Sequence, residues 1–157
     1  MKRSGFTLIE LLVSIAIILL LAGLVLTGLN VARARAQSVR ARNDINQIVA
    51  VWHAYLADYR IPPAGITETG PEFVTLMRGG NPTLNPRGLA YMDFHEDSQG
   101  MRDPWGNFYQ FRFAGQVPAL PHGTVRDPVA VWSMGPDGSS EDEEHRRDDI
   151  HSWREVE

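Results

Sequence analysis

The sequence contains no cysteine among its 157 residues. Disulfide bonds and metal sites built from thiolates are therefore excluded. Small domains outside the cytoplasm often depend on disulfides, because a small core stabilises them only modestly. If this chain has such a domain, then packing, hydrogen bonds or a bound ion must stabilise it instead.

Patterns typical of catalytic sites are also missing from the sequence. None of the five histidines belongs to an HExxH motif, and no serine has the surroundings of a nucleophile elbow. His145 and His151 flank Asp148 and Asp149 and could hold a transition metal, but a solvated loop explains the same pattern more simply. An enzyme anchored to a membrane therefore remains an alternative of a different class, with no motif to support it.

Charge is nearly absent from the first part of the chain. Between Phe6 and Leu29 the only charged residue is Glu10. A helix over this stretch would be long enough to cross a hydrocarbon core of about 30 Å. A secretory signal would have a shorter apolar core followed by a cleavage site between small residues. The stretch 6–29 therefore predicts a transmembrane helix.

The cations on either side of this stretch give a conflicting indication of its orientation. Two cations precede it, and four arginines follow it within a short distance: Arg33, Arg35, Arg40 and Arg42. A count of cations alone would place the C-terminal side in the cytoplasm. The arginines could also suggest nucleic-acid binding, but no aromatic residues are interleaved with them. We therefore expect no nucleic-acid partner, and predict a solvated face or contact with lipid headgroups and neighbouring acids.

The run Gly5-Phe6-Thr7-Leu8-Ile9-Glu10, after a short basic leader, resembles the prepilin signature of type IV pilins and type II secretion pseudopilins. The resemblance implies that a membrane-embedded prepilin peptidase cleaves after Gly5 on the cytoplasmic side and that Phe6 is then N-methylated. It also implies a single-pass protein of the bacterial inner membrane with a cytoplasmic N-terminus and a periplasmic head. This orientation overrules the one that the cation count suggests.

The resemblance also gives Glu10 a role in assembly. It implies that the carboxylate meets the α-amino group of Phe6 on a neighbouring subunit, inside a filament of side-by-side helices. Such pairing offsets part of the cost of removing both charges from water. The alternative is a local contact of Glu10 with its own N-terminus, four residues back.

Apolar residues continue past the predicted membrane span at helical spacing, from Ile45 to Tyr59, and Pro62-Pro63 ends the pattern. The sequence therefore predicts one helix over 6–59 and four segments. These are a leader (1–5), the transmembrane half of the helix (6–29), its amphipathic half (30–59) and a globular head with an acidic C-terminal loop (60–157).

Within the head, local patterns predict few regular elements. Residues 71–78 have proline at the start and Gly79-Gly80 after the end, as in a short helix. Residues 108–113 and 129–134 are typical of strands, whereas 80–101 contains turn formers and few periodic apolar residues.

Two motifs of the head resemble the major pseudopilin family of type II secretion. The first is Asp103-Pro104-Trp105-Gly106-Asn107-Phe108-Tyr109; the second is Ser133-Met134-Gly135-Pro136-Asp137-Gly138 followed by Asp148-Asp149-Ile150-His151-Ser152-Trp153. The resemblance implies an α+β, type IV pilin-like fold in which the long N-terminal helix packs on a small antiparallel sheet of three strands.

The same resemblance implies a structural function rather than an enzymatic one. The chain would polymerise through its N-terminal helix into a periplasmic pseudopilus that drives protein secretion across the outer membrane. Its partners would be copies of itself, minor pseudopilins, the prepilin peptidase, the inner-membrane assembly platform and, before assembly, the lipid bilayer. The alternative is a subunit of a type IV-like pilus for adhesion, motility or DNA uptake.

The C-terminal stretch 137–157 is acidic, with nine acids against three arginines. In the pseudopilin family the last loop binds calcium. The resemblance implies that the Met134 carbonyl and the Asp137 carboxylate are ligands and that Asp148 or Asp149 closes the site from the other side. Residues 139–147 depart from the family's glycine-rich loop because they are charged. The alternative is an acidic loop without an ion, neutralised by Arg146 and Arg147.

Overall fold

The computed structural model describes residues 7–95, 98–114 and 127–153, with backbone alone for 24–28. The chain forms two compact units, Met1–Gln37 and Ser38–Glu157, called the first and second units below. One helix, α1, runs over Leu8–Tyr59. The long helix that the apolar pattern predicts is therefore confirmed from Leu8 onward. Among the described residues, no helical stretch combines the length and apolar character needed to cross a membrane.

The C-terminal end of α1 is set by local backbone geometry. Arg60 has a positive φ of 58°, and its N–H donates to the carbonyl of Leu56 at 2.9 Å. This is a left-handed helix cap, in which the residue after the helix closes the last turn. Two prolines follow directly and cannot continue the helix.

In the second unit, α1 buries one face along its length. Its buried residues recur every three or four positions, as the amphipathic pattern predicts; they are Ala41, Ile45, Ile48, Trp52 and Tyr55.

Against this face packs an antiparallel sheet of three strands in the order β1-β2-β3. The strands are β1 (Gln110–Phe113), β2 (Val129–Ser133) and β3 (Ile150–His151). Phe111 lies opposite Val131, and Trp132 lies opposite His151. This arrangement confirms the predicted α+β, type IV pilin-like fold.

Both strands that the sequence patterns predict, 108–113 and 129–134, are shorter in the structure. The first begins at Gln110 because Phe108 instead forms an isolated bridge with Arg102.

The segment Thr67–Thr69 lies along the outer edge of β1. There the Thr69 N–H donates to the Tyr109 carbonyl, and the Phe111 N–H donates to the Thr67 carbonyl, each at 2.9 Å.

Trp52 lies at the centre of the aromatic core. Its ring centroid is 4.7 Å from that of Phe111, 4.9 Å from that of Phe113 and 5.5 Å from that of Phe73. Phe73 belongs to the short helix α2 (Pro71–Met77), which the proline and glycine pattern predicts correctly to within one residue.

Buried polar groups tie the loop after α2 to the helices. The Asn85 side chain donates to the carbonyls of Leu76 and Leu89, at 3.0 and 2.7 Å, and accepts a hydrogen bond from the Tyr59 hydroxyl at 2.6 Å. In the described parts of 80–101 there is no helix or regular strand, as predicted. The loop is nevertheless ordered around Asn85, because a buried amide must satisfy its donors and acceptor.

Candidate functional site

The Glu10 side chain forms a capping box with Thr7 at the start of α1. The Thr7 hydroxyl accepts a hydrogen bond from the Glu10 N–H at 3.3 Å, while Glu10 Oε2 accepts from the Thr7 N–H at 2.8 Å and from its hydroxyl at 2.7 Å. Reciprocal bonds of this kind satisfy two backbone donors that the helix leaves free. Thr7 was not among the predicted site residues, although the spacing Thr-x-x-Glu before an apolar run is the signal for this cap.

Both bonds from Thr7 reach the same carboxylate oxygen, Oε2. Among the described residues, no donor is bonded to Oε1 of Glu10. Gly5, the predicted cleavage site, and Phe6, whose α-amino group is the predicted partner of this carboxylate, lie outside the described residues. Cleavage after Gly5, methylation of Phe6 and the pairing of Glu10 across subunits therefore stay predictions.

Large apolar side chains surround Glu10 and are exposed in the single chain. They include Leu8, 82% exposed, and Ile9, 70% exposed, and continue to Leu21. Soluble monomeric proteins rarely leave so large a continuous apolar surface uncovered. This part of α1 therefore needs an apolar environment, which either lipid or other helices can supply.

The second candidate site, near the C-terminus, is organised by a buried carboxylate that was not among the predicted site residues. Asp103 is 4% exposed. Its Oδ1 accepts hydrogen bonds from the N–H groups of Trp105 and Asn107, at 3.0 and 2.8 Å. Its Oδ2 accepts from the Ser133 hydroxyl at 2.7 Å. Asp103 thus joins the turn 103–107 to the end of β2.

The loop after β2 lies against the same turn and against Asp148. The Ser133 hydroxyl accepts from the Gly135 N–H at 3.2 Å, and the Asn107 amide donates to the Gly135 carbonyl at 3.4 Å. Gly135 has a φ of +64°, and a Cβ there would lie 2.8 Å from Oδ2 of Asp148. Glycine is therefore required at 135 for two reasons: the left-handed backbone and the close approach of Asp148.

The structure places the predicted calcium ligands in this region, each with its own local contacts. The Asp137 carboxylate accepts from the Ser139 N–H at 3.0 Å, and Asp149 accepts from the Ser140 hydroxyl at 2.7 Å. Met134 is half-buried against the cluster of Ala130, Trp132 and Trp153. Within the described residues, no three or more histidine, aspartate or glutamate side chains are grouped as a metal site would need. Calcium therefore stays a prediction.

The predicted transition-metal alternative at the histidines gains no support from the same geometry. His145 Nδ1 lies 2.6 Å from Oδ1 of Asp142, and His151 Nδ1 lies 2.7 Å from the Trp153 carbonyl. The hydrogen bond to Asp142 raises the pKa of His145 above its ordinary value. Bonds from the backbone and ring of His145 lower the pKa of Asp142 in turn. The pair orders an exposed single turn of 3₁₀-helix, His145–Arg147.

Comparisons with known proteins decide the family. Residues 1–26 match the prokaryotic N-terminal methylation motif, and residues 29–153 match type II secretion system protein G. The chain belongs to the type II secretion system protein G family. This confirms the resemblance to the major pseudopilin. Because the family is a structural one, the chain is a structural pseudopilus subunit and not an enzyme.

Individual members of the protein G family are similar over almost their whole length. Type II secretion system core protein G of Aeromonas hydrophila is 31% identical over 152 residues, covering 97% of this chain and 93% of the relative. The protein of the same name from Pseudomonas aeruginosa is 31% identical over 155 residues, covering 97% and 96%. That from Escherichia coli K12 is 33% identical over 152 residues, covering 97% and 92%. No solved structure is significantly similar to the chain.

Proposed function

We propose that this chain is the repeating subunit of a type II secretion pseudopilus and that it polymerises by packing α1 against the α1 helices of other copies. The observation that carries the proposal is the exposed apolar surface from Leu8 to Leu21 with the carboxylate of Glu10 at its start. Side-by-side helices would cover this surface and remove it from water. The match to type II secretion protein G favours a secretion pseudopilus over a type IV-like pilus.

Before assembly, the same surface would lie in the bacterial inner membrane, with the second unit in the periplasm. The match of residues 1–26 to the methylation motif supports cleavage after Gly5 by a prepilin peptidase and methylation of Phe6. We further propose that minor pseudopilins and an inner-membrane assembly platform receive the processed chain, as partners typical of such a filament.

Glu10 would serve two purposes through its two oxygens. Oε2 caps the first turn of α1 through Thr7, and Oε1 remains available to the α-amino group of a neighbouring Phe6. The cap lowers the cost of placing the carboxylate in an apolar environment, since a hydrogen-bonded charge is less expensive to desolvate than a bare one. Pairing with a cation of the next copy would offset more of that cost.

Replacing Glu10 by Ala or by Gln separates the capping role from the pairing role. Glutamine preserves the capping box with Thr7 but cannot form an ion pair. If pairing drives assembly, we expect both variants to form few filaments. If Glu10 acts through the cap alone, Glu10→Gln will assemble normally and contradict the proposal. The measurement is the polymerised fraction in cells with the secretion machinery, and intact mass verifies that residues 1–5 are still removed.

We also propose that a calcium ion binds where the loop after β2 meets Asp148. The Met134 carbonyl, Asp137 and either Asp148 or Asp149 would hold it, because calcium prefers several oxygen ligands. The contact of Asp148 with Gly135 supports this placement, since it already brings the two ends of the loop together. The ion would supply a cross-link between β2 and the C-terminal segment in a chain that has no cysteine.

Calcium is expected to raise the melting temperature of the purified chain in detergent by several degrees at millimolar concentration. A site that binds only the folded state stabilises by about 2.7 kcal/mol at a hundredfold excess over Kd. Asp137→Asn should abolish the rise, whereas Glu72→Gln, at an exposed position of α2, should leave it unchanged. Equal melting curves in calcium and in chelator would contradict calcium binding. The proposal that the chain polymerises through α1 does not depend on this result.

A further inference from the structure

The side chain of Asn107 lies against the loop that carries two of the proposed calcium ligands, Met134 and Asp137. Its amide donates to the Gly135 carbonyl at 3.4 Å. Gly138 has a φ of +70°, and a Cβ there would lie 3.3 Å from Nδ2 and 3.4 Å from Oδ1 of Asn107. Asn107 therefore lies beside the loop both before and after Asp137, at the two glycines whose left-handed backbone shapes it.

The backbone of Asn107 is fixed by Asp103. Oδ1 of Asp103 accepts a hydrogen bond from the Asn107 N–H, and the Asp103 N–H donates to the Asn107 carbonyl, each at 2.8 Å. The Gly106 N–H closes the same turn by donating to the Asp103 carbonyl at 3.0 Å. Because these bonds involve backbone atoms of Asn107, they remain when its side chain is shortened. The side chain thus extends from a closed turn onto the loop.

The Asp137 carboxylate does not itself attach the loop to the rest of the second unit. Asp137 is exposed, and the hydrogen bond that it accepts from the Ser139 N–H lies within the loop. A local bond of this kind shapes a loop without holding it against other elements. The Gly135 peptide, in contrast, contacts both Asn107 and Asp148, since Oδ2 of Asp148 would lie 2.8 Å from a Cβ at 135. Asp148 is one of the two residues proposed to close the calcium site.

We propose that Asn107 is a positioning residue of the calcium site, whose side chain holds the loop 134–138 in the conformation that presents the Met134 carbonyl and the Asp137 carboxylate to the ion. The inference rests on the proposed calcium binding. An ion that binds to an ordered loop does not have to supply the free energy of ordering it. When only a fraction of the molecules holds the loop in this conformation, the apparent Kd rises in inverse proportion to that fraction.

Calorimetric titration of the purified full-length chain with calcium, in detergent, tests this role. Asn107→Ala is expected to raise the Kd about tenfold, as replacement of a residue that orients metal ligands typically does. Its melting temperature in chelator should fall by only a few degrees, because the substitution removes one hydrogen bond of 3.4 Å and keeps the backbone bonds to Asp103. Asn107→Ser, whose hydroxyl lies one bond closer to the backbone, should give the same rise in Kd and replaces the alanine variant if that variant folds poorly.

Asn81→Ala is the matched control for a purely structural asparagine. Asn81 is half-buried, as Asn107 is, and its Oδ1 accepts hydrogen bonds from the N–H groups of Thr83 and Leu84 at 3.1 and 3.0 Å. Its replacement should lower the melting temperature in chelator and leave the Kd for calcium unchanged. An unchanged Kd in the Asn107 variants would overturn the inference while calcium binding stands. If the unaltered chain binds no calcium, the proposed site fails and the inference fails with it.

Discussion

Replacing Trp52 by alanine is expected to lower the free energy of unfolding of the second unit by about 3–5 kcal/mol, the usual cost of removing a large aromatic side chain from a core. Trp52 is fully buried and contacts three phenylalanine rings, those of Phe73, Phe111 and Phe113. Its removal would leave a cavity between α1, α2 and β1 that these rings cannot close. Domains of this size are stable by about 5–15 kcal/mol, so the loss is a large fraction of the total.

Urea denaturation followed by circular dichroism measures this loss on the purified chain in detergent. His53→Ala is the matched control, because His53 is the next residue on the same helix but is exposed. Surface substitutions usually change stability by less than about 0.5 kcal/mol. A loss below about 1 kcal/mol for Trp52→Ala would show that the second unit does not depend on this aromatic core.

Replacing Asp103 by alanine is the second change with a large expected effect, again about 3–5 kcal/mol. The substitution removes three hydrogen bonds to one carboxylate and leaves the buried Ser133 hydroxyl and the two backbone N–H groups without their acceptor. Bonds to charged groups contribute about 1.5–3 kcal/mol each, and a buried unsatisfied group costs about 1–3 kcal/mol. These contributions are not additive, which keeps the total below their sum.

Ser133→Ala separates the two parts of this contact. It removes the bond to Oδ2 of Asp103 and the acceptor of the Gly135 N–H, but it keeps the bonds of Asp103 to the turn 103–107. We expect it to cost about 1–2 kcal/mol. The double variant should cost less than the two single losses added together, because the two side chains share one bond. Asp93→Ala, at an exposed aspartate, is the control. Strict additivity of the two losses would contradict the coupling through Asp103.

Local sequence patterns predicted the helices and two of the three strands of this fold, whereas β3 (Ile150–His151) was implied only by the family resemblance. The spacing of Ile45, Ile48 and Trp52 indicated the buried face of α1, and the prolines after Tyr59 indicated where the helix ends. The patterns of residues 71–78 and 129–134 gave α2 and β2 to within one residue. These patterns depend on residues close in sequence, so contacts with distant residues alter the bounds of the elements little.

Contacts between distant residues could not be predicted in the same way. Nothing in the motif that begins at Asp103 shows that this carboxylate reaches Ser133, thirty positions later. The first strand was predicted too long, because the pairing of Thr69 with Tyr109 cannot be read from residues 108–113 alone. At the N-terminus, by contrast, the Thr7 cap was readable from its spacing.

The segment Thr67–Thr69 along the outer edge of β1 has a consequence for aggregation. Exposed edge strands act as templates for uncontrolled strand addition between chains. Here one edge of the sheet is occupied by hydrogen bonds from Thr69 and to Thr67, and the strand at the other edge, β3, has two residues. Short or covered edges are a known defence against such association. Many copies of this protein can therefore lie close together and associate through side-chain contacts, without amyloid-like strand addition at the edges of the sheet.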